Sequence, residues 1–287
     1  MLAFARSPQE AVFLSAVFCG CLALALSGLL RWRGSPRVPT DLQIPAFFVL
    51  AYWLTYNRVP SLPPVGAVNK LFYIAVTGAA AGLLLEACGL TAKLRWFFLG
   101  FPIVAAVFIG QSRLSTAPHE VVLAAGLGAL VFDLLIREML RSDGETDLRP
   151  AIMLAIASTG FAPIALLGAS SSSLQLCLSL AAAIGGILAW HLFHPRFSFG
   201  AASLLGGAGA LVAVGQTVAM ITRKVDLLAL FILGLVFVVP LVGERLLSQR
   251  PVTRPAIRTL RFAALCLIPA LAAVSLAILR YDGNFPV

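Results

Sequence analysis

The chain has 287 residues, of which 60% are hydrophobic and only 11% charged, with a mean hydropathy of +0.96. A soluble domain carries about 25% charged residues, so a water-exposed surface of ordinary size is excluded. The net charge of +9 does not point to nucleic acid, because the basic residues lie between apolar segments, where they act as orientation signals and lipid-headgroup contacts.

A bilayer core of about 30 Å requires roughly 17–25 apolar helical residues. On that length the chain reads as about ten spans, at 11–30, 43–57, 70–91, 96–112, 119–136, 151–169, 173–193, 199–221, 226–243 and 261–280. The expected fold class is an all-α, polytopic membrane helix bundle, since no alternation of period two persists to support a barrel. Lipid is therefore the first expected partner.

The first span is too long for a usual signal-peptide core and ends in Arg31-Trp32-Arg33, so it is expected to stay attached. Phe18-Cys19-Gly20-Cys21 fits a lipoprotein cleavage site poorly. The second span is the weakest of the ten, because Pro45, Tyr56 and Asn57 crowd it. The connection 58–69 holds Pro60, Pro63 and Pro64, which fix φ and remove donors, so a stiff, extended loop is expected, as a spacer or a docking element.

The charged connection around 137–150 separates two groups of five spans. It sets out a single membrane domain, 1–287, with halves at 1–142 and 148–287 and no soluble domain. Five plus five suggests an inverted repeat, although no residues match between the halves. Serines 170–173 join spans six and seven in a tight hairpin.

Lys and Arg divide unevenly between the two sides. The connections after spans one, three, five, seven and nine hold 14 of the 21, and the termini with the other connections hold 7. The excess places the first set in the cytoplasm and both termini outside. Arginine (18) far outnumbers lysine (3), and with abundant Ala, Gly, Leu and Pro this suggests a GC-rich bacterial genome, hence a bacterial cytoplasmic membrane.

Ionisable residues inside spans cost about 2.5–3.5 kcal/mol at the helix centre and are candidates for function. Glu86, Asp133 and His191 qualify, all toward the predicted cytoplasmic ends of spans three, five and seven. Each has two readings. As a group they can form a proton- or substrate-binding site opening to the cytoplasm. Individually, Asp133 can pair with Arg137 four residues on, Glu86 can reach Lys93 or Arg95, and His191 can sit beside Trp190 at the interface. Gln216, with Thr217, lies beside Gly206-Gly207-Ala208-Gly209 and Gly215 in span eight. It can tie a close helix crossing or line a substrate path. Pro45, Pro102, Pro163, Pro240 and Pro269 can kink helices and free carbonyls.

Enzyme chemistry finds little footing. Gly168-Ala169-Ser170-Ser171 resembles the serine motif of rhomboid-type intramembrane proteases, but His191 sits about 30 Å further down its helix. His191 and His194 share a helix face at i, i+3, too few for a metal site. The five cysteines lie in apolar stretches without ligand spacing, and no phosphate or dinucleotide motif occurs. No cofactor, metal or catalytic residue is expected, and nucleic acid is not expected as a partner. Two functions remain: a secondary transporter or permease for a small solute, or a non-enzymatic scaffold or subunit of a larger envelope complex with membrane-protein partners. An intramembrane enzyme acting on lipid-linked substrates stands third.

Overall fold

A computed structural model describes residues 7–32, 40–64, 66–90, 95–141, 148–192, 197–242 and 255–281. Among them every regular element is helical and none is a strand. In chain order these are α1 (Pro8–Trp32), α2 (Gln43–Tyr56), α3 (Ala67–Ala87), α4 (Arg95–Ile109), α5 (Pro118–Arg141), α6 (Arg149–Leu167) and α7 (Ser171–His191). Then follow α8 (Ser203–Thr222), α9 (Leu227–Val242) and α10 (Pro255–Leu279).

Seven of them, α1, α3, α5, α6, α7, α8 and α10, are long and apolar enough to cross a membrane; α4 and α9 are shorter apolar helices. Helix α2 has 14 residues, about 21 Å at 1.5 Å per residue, short of a 30 Å core. Among the described residues the protein is thus an all-helical membrane protein with seven helices fit to cross, and the expected count of about ten spans is met by length and composition only for those seven. Helix α10 starts six residues before its predicted span, at Pro255, where proline suits a first turn because its missing N–H would have no partner there.

The ends of the helices explain why the chain turns where it does. Asn57 takes a left-handed φ of 49° and returns its N–H to Trp53 O, closing α2. Between α6 and α7, Ser170 N bonds to Ala165 O and Ser170 Oγ lies 2.7 Å from Ser173 Oγ, which makes the tight hairpin expected at the serine run. Asp226 caps α9, its Oδ1 accepting from Leu228 N at 2.8 Å, and Arg280 fastens it to the end of α10.

Inside lipid, burying apolar area does not drive helices together, so close packing and hydrogen bonds must do so. Helix α6 is the central element, with Met153, Leu154, Ala162 and Ala165 among its fully enclosed residues. It packs on α7, α9 and α10. By contrast, α1 and α10 leave most of their surface open, as the exposed Phe13, Leu14, Leu267 and Leu271 illustrate. Helices of the first five lie directly on helices of the second: α1 and α2 on α7, and α3 on α8.

Two crossings are especially close. In the α1–α7 crossing a Cβ on Gly186 would lie 2.4 Å from Gly20 O. In the α3–α8 crossing a Cβ on Gly82 would lie 2.5 Å from the carbonyl of Ala201. Backbone meets backbone at both, so neither glycine can be replaced without moving a helix.

A paired-carboxyl candidate site at the start of helix α8

Every helix begins with four backbone N–H groups that its own turns cannot satisfy. For α8, whose first turn opens ahead of Ser203 with Leu204 N bonded to Gly200 O at 3.0 Å, these belong to Gly200, Ala201, Ala202 and Ser203, and the carboxylates that accept them come from elsewhere in the chain. Asp41, just ahead of α2, accepts from Gly200 N at 2.7 Å and Ser203 N at 3.1 Å through Oδ1, and from Ala202 N at 2.8 Å through Oδ2. Glu86, in the last turn of α3, accepts from Ala201 N at 2.6 Å through Oε1. Ser203 Oγ completes the clasp by donating to Asp41 O at 2.7 Å. Negative groups at a helix N-terminus also meet the positive end of its dipole.

The two carboxyls thus converge on the same turn of backbone. Asp41 is 2% exposed, and Gly200 is what allows both acids in: a Cβ there would lie 2.0 Å from Glu86 Oε1 and 2.8 Å from Asp41 Oδ2. Beyond the clasp α8 is not a regular α-helix. Its turns are widened to π geometry over Ser203–Ala208 and again over Val218–Thr222, an irregularity common at functional positions. Gly206 and Gly207 of the first wide stretch sit against Pro45 and Ile44 of α2.

Among the residues singled out from sequence, Glu86 therefore enters this cluster. The side chains of Lys93 and Arg95, its expected neighbours, lie outside the described residues. Asp133 forms an ion pair with Arg137 at 2.5 Å, and the arginine is half exposed. His191 is buried, with its ring centroid 5.9 Å from that of Phe197; His194 lies outside the described residues. Its neighbour Trp190 clamps α1, its Nε1 donating to Leu24 O at 2.7 Å.

Gln216 sits elsewhere again. Its Nε2 donates to Pro102 O at 3.1 Å and Ala124 O at 3.2 Å, tying α8 to α4 and α5. Its buried Oε1 finds no partner among the described residues. The four residues thus meet four different sets of neighbours.

Two residues escaped the sequence reading. Asp41 stands in a connection, two residues ahead of a span, and so carries no intramembrane cost on paper; the sign was an acid shortly before a helix start. Lys70 opens the third span and carries no functional signal in the sequence. It is buried, donating to Phe108 O and to Gln111 Oε1 at 3.2 Å, with its Nζ 4.8 Å from the Phe108 ring centroid.

Compared with protein-family models, with curated proteins and with solved structures, the chain matches none. The functional reading therefore rests on the geometry alone.

Proposed function

We propose that this membrane protein is a proton-coupled secondary transporter or permease for a small solute, embedded through about ten spans in a bacterial cytoplasmic membrane with both termini outside. The observation that carries the reading is the Asp41–Glu86 pair, a buried and a half-buried carboxyl meeting on the first turn of an interrupted helix. Ionisable groups at membrane depth are costly and commonly mark proton and solute paths. Broken helices whose N-termini meet anionic groups recur at transporter sites.

The pair offers a switch of adequate size. Two unit charges 4 Å apart repel by about 4 kcal/mol at the effective dielectric of a protein. Reversing a two-state equilibrium from 1:99 to 99:1 takes about 5.5 kcal/mol. Bringing a second negative charge onto the pair by deprotonation thus supplies much of what is needed to loosen α8 from α2 and α3. Glu86 and Asp41 are the proton-binding groups of this reading, and Gln216 lines the same helix further along. Asp133 and His191 belong to it as candidates for the path toward the cytoplasm.

The second reading, a non-enzymatic scaffold or subunit of an envelope complex, draws on a specific feature. Asp41 is fully occupied as a helix cap, and the adjoining α3–α8 crossing is closed backbone to backbone.

The test uses the full chain in liposomes containing a pH-sensitive dye, challenged with a small-molecule extract of cells. The transporter reading expects solute-evoked proton movement that Glu86→Gln abolishes while leaving insertion intact. An unchanged response in Glu86→Gln, Asp41→Asn and Asp133→Asn would overturn proton coupling. A silent protein that co-purifies with stoichiometric membrane partners in mild detergent would establish the scaffold instead. A cytoplasm-only reporter active when fused after Val287 would reverse the orientation.

A further inference from the structure

The far half of α8, away from the acid pair, is fastened to α4 and α5 by polar groups that do not come out even. Gln216 is 4% exposed and donates through Nε2 to Pro102 O of α4 and Ala124 O of α5. One turn from Ala124, about 6 Å along α5 at 1.5 Å per residue, Glu120 Oε1 accepts from Arg223 Nη2 at 2.7 Å. Arg223 closes α8 with a left-handed φ of 54°. The packing around these contacts is apolar and close: a Cβ on Gly110 would lie 2.9 Å from Val121 Cγ2 and 3.2 Å from Met220 Sδ.

Each contact leaves one oxygen over. Among the described residues three enclosed side-chain polar atoms lack a hydrogen-bond partner, and two of them are Gln216 Oε1 and Glu120 Oε2 on this one seam. Turning the amide round would not help, because its oxygen would then face two carbonyl oxygens; Nε2 must be the donor and Oε1 the remainder. An enclosed acceptor without a donor costs stability, and an apolar side chain of similar size would fill either place without that cost. The clasp at the start of α8 behaves differently, since every one of its four N–H groups is met there.

We propose that this seam holds the solute, whose N–H or O–H donors meet Gln216 Oε1 and Glu120 Oε2, so that the molecule carried is a small amine or hydroxylated amine. Both waiting atoms can only accept, so an anion would bring acceptors to acceptors and meet a carboxylate besides. Arg223 occupies the other oxygen of Glu120, and an ammonium N–H on the free one makes the stronger, charge-assisted kind of bond. Both oxygens are shut off from solvent here, so the donors reach them when α8 parts from α5. The inference rests on the transporter reading, but its test does not read proton movement.

The experiment follows thermal unfolding of the full chain in neutral detergent with ethanolamine, tetramethylammonium or acetate added at equal ionic strength. Tetramethylammonium has the charge without a donor, and acetate has acceptors alone. Ethanolamine near a hundredfold excess over its Kd should raise Tm by about 5 °C or more, and the other two should not. The shift should fall by at least half in Gln216→Met and in Glu120→Leu, and persist in Ser15→Ala on the α1–α7 crossing. If Glu120→Leu does not fold, Gln216→Met decides alone, since it exchanges an enclosed amide for an apolar side chain of similar size. Indifference to ethanolamine, which would leave water to satisfy the two oxygens, would overturn the proposal. So would an equal shift from tetramethylammonium or acetate, or an undiminished one in Gln216→Met. Proton coupling at Asp41 and Glu86 is read separately in liposomes, so its failure and the failure of this site are told apart.

Discussion

The α1–α7 and α3–α8 crossings reach the same closeness by the same means and are then fastened by different chemistry. Both rest on glycines whose Cβ would strike the opposing backbone at about 2.4–2.5 Å. Across α1–α7 the fastening is neutral: Gln175 Nε2 and Ser179 Oγ both donate to Ser15 Oγ, at 3.1 and 3.2 Å, and Trp190 donates to Leu24 O. Across α3–α8 it is acidic, with Asp41 and Glu86 holding four helix-terminal N–H groups between them. A neutral seam has one state at any pH. An acidic seam has as many states as it has protons, so the same packing solution becomes a place where chemistry can act on structure.

If that contrast is sound, steric damage should treat the two crossings alike. Gly82→Val and Gly186→Val each force a side chain into backbone that cannot yield, at a cost of about 3 kcal/mol or more. Both should lose most of their monodisperse protein on size exclusion after extraction. Survival of one with wild-type Tm would show that its seam is looser than its geometry implies.

Polar changes should then separate the seams. Asp41→Ala strips the acceptor from two buried N–H groups and one half-buried, and a buried one costs about 1–3 kcal/mol when left unsatisfied. It should lower Tm more than any single polar change in the α1–α7 seam, whereas Asp41→Asn, which keeps one oxygen acceptor, should lose about half as much. Ser15→Ala removes only a neutral bond network and should cost about 1 kcal/mol, read as a shift of a few degrees. Finding Ser15→Ala as damaging as Asp41→Ala would dissolve the contrast.

The smallest effect belongs outside both seams. The arginine of the Asp133–Arg137 pair is half exposed, and an i, i+4 pair of that kind is worth about 0.3–0.5 kcal/mol. Asp133→Asn should leave Tm within a degree or two of wild type, so any loss of transport in this variant would report on function rather than folding.

How much of this was legible beforehand varied residue by residue. The serine hairpin at 170–173, the Asp133–Arg137 pair and the helical bonds of Gln216 follow from local spacing or from the rule that a buried amide needs partners. Asp41 was not legible, because its partners are 159–162 residues away in sequence and nothing local separates an acid that caps its own helix from one that caps another. Lys70 was hidden for the same reason: being next to a span says nothing about which way a flexible side chain turns. The burial of His191 required knowing that the segment beginning at Phe197 folds back over it.

By itself, the sequence determined the solvent, the helical class and the run of apolar segments. A bilayer core admits no other way to satisfy a backbone than helices or closed barrels, and helix length and hydropathy are properties of contiguous residues. Only the tertiary structure decided which of the costly polar groups meet. Helices in lipid associate through close small-residue contacts and a few hydrogen bonds, and those are set by pairs of residues far apart in the chain. Glu86 was conspicuous from the start; that it shares the first turn of α8 with Asp41 is a fact of the fold.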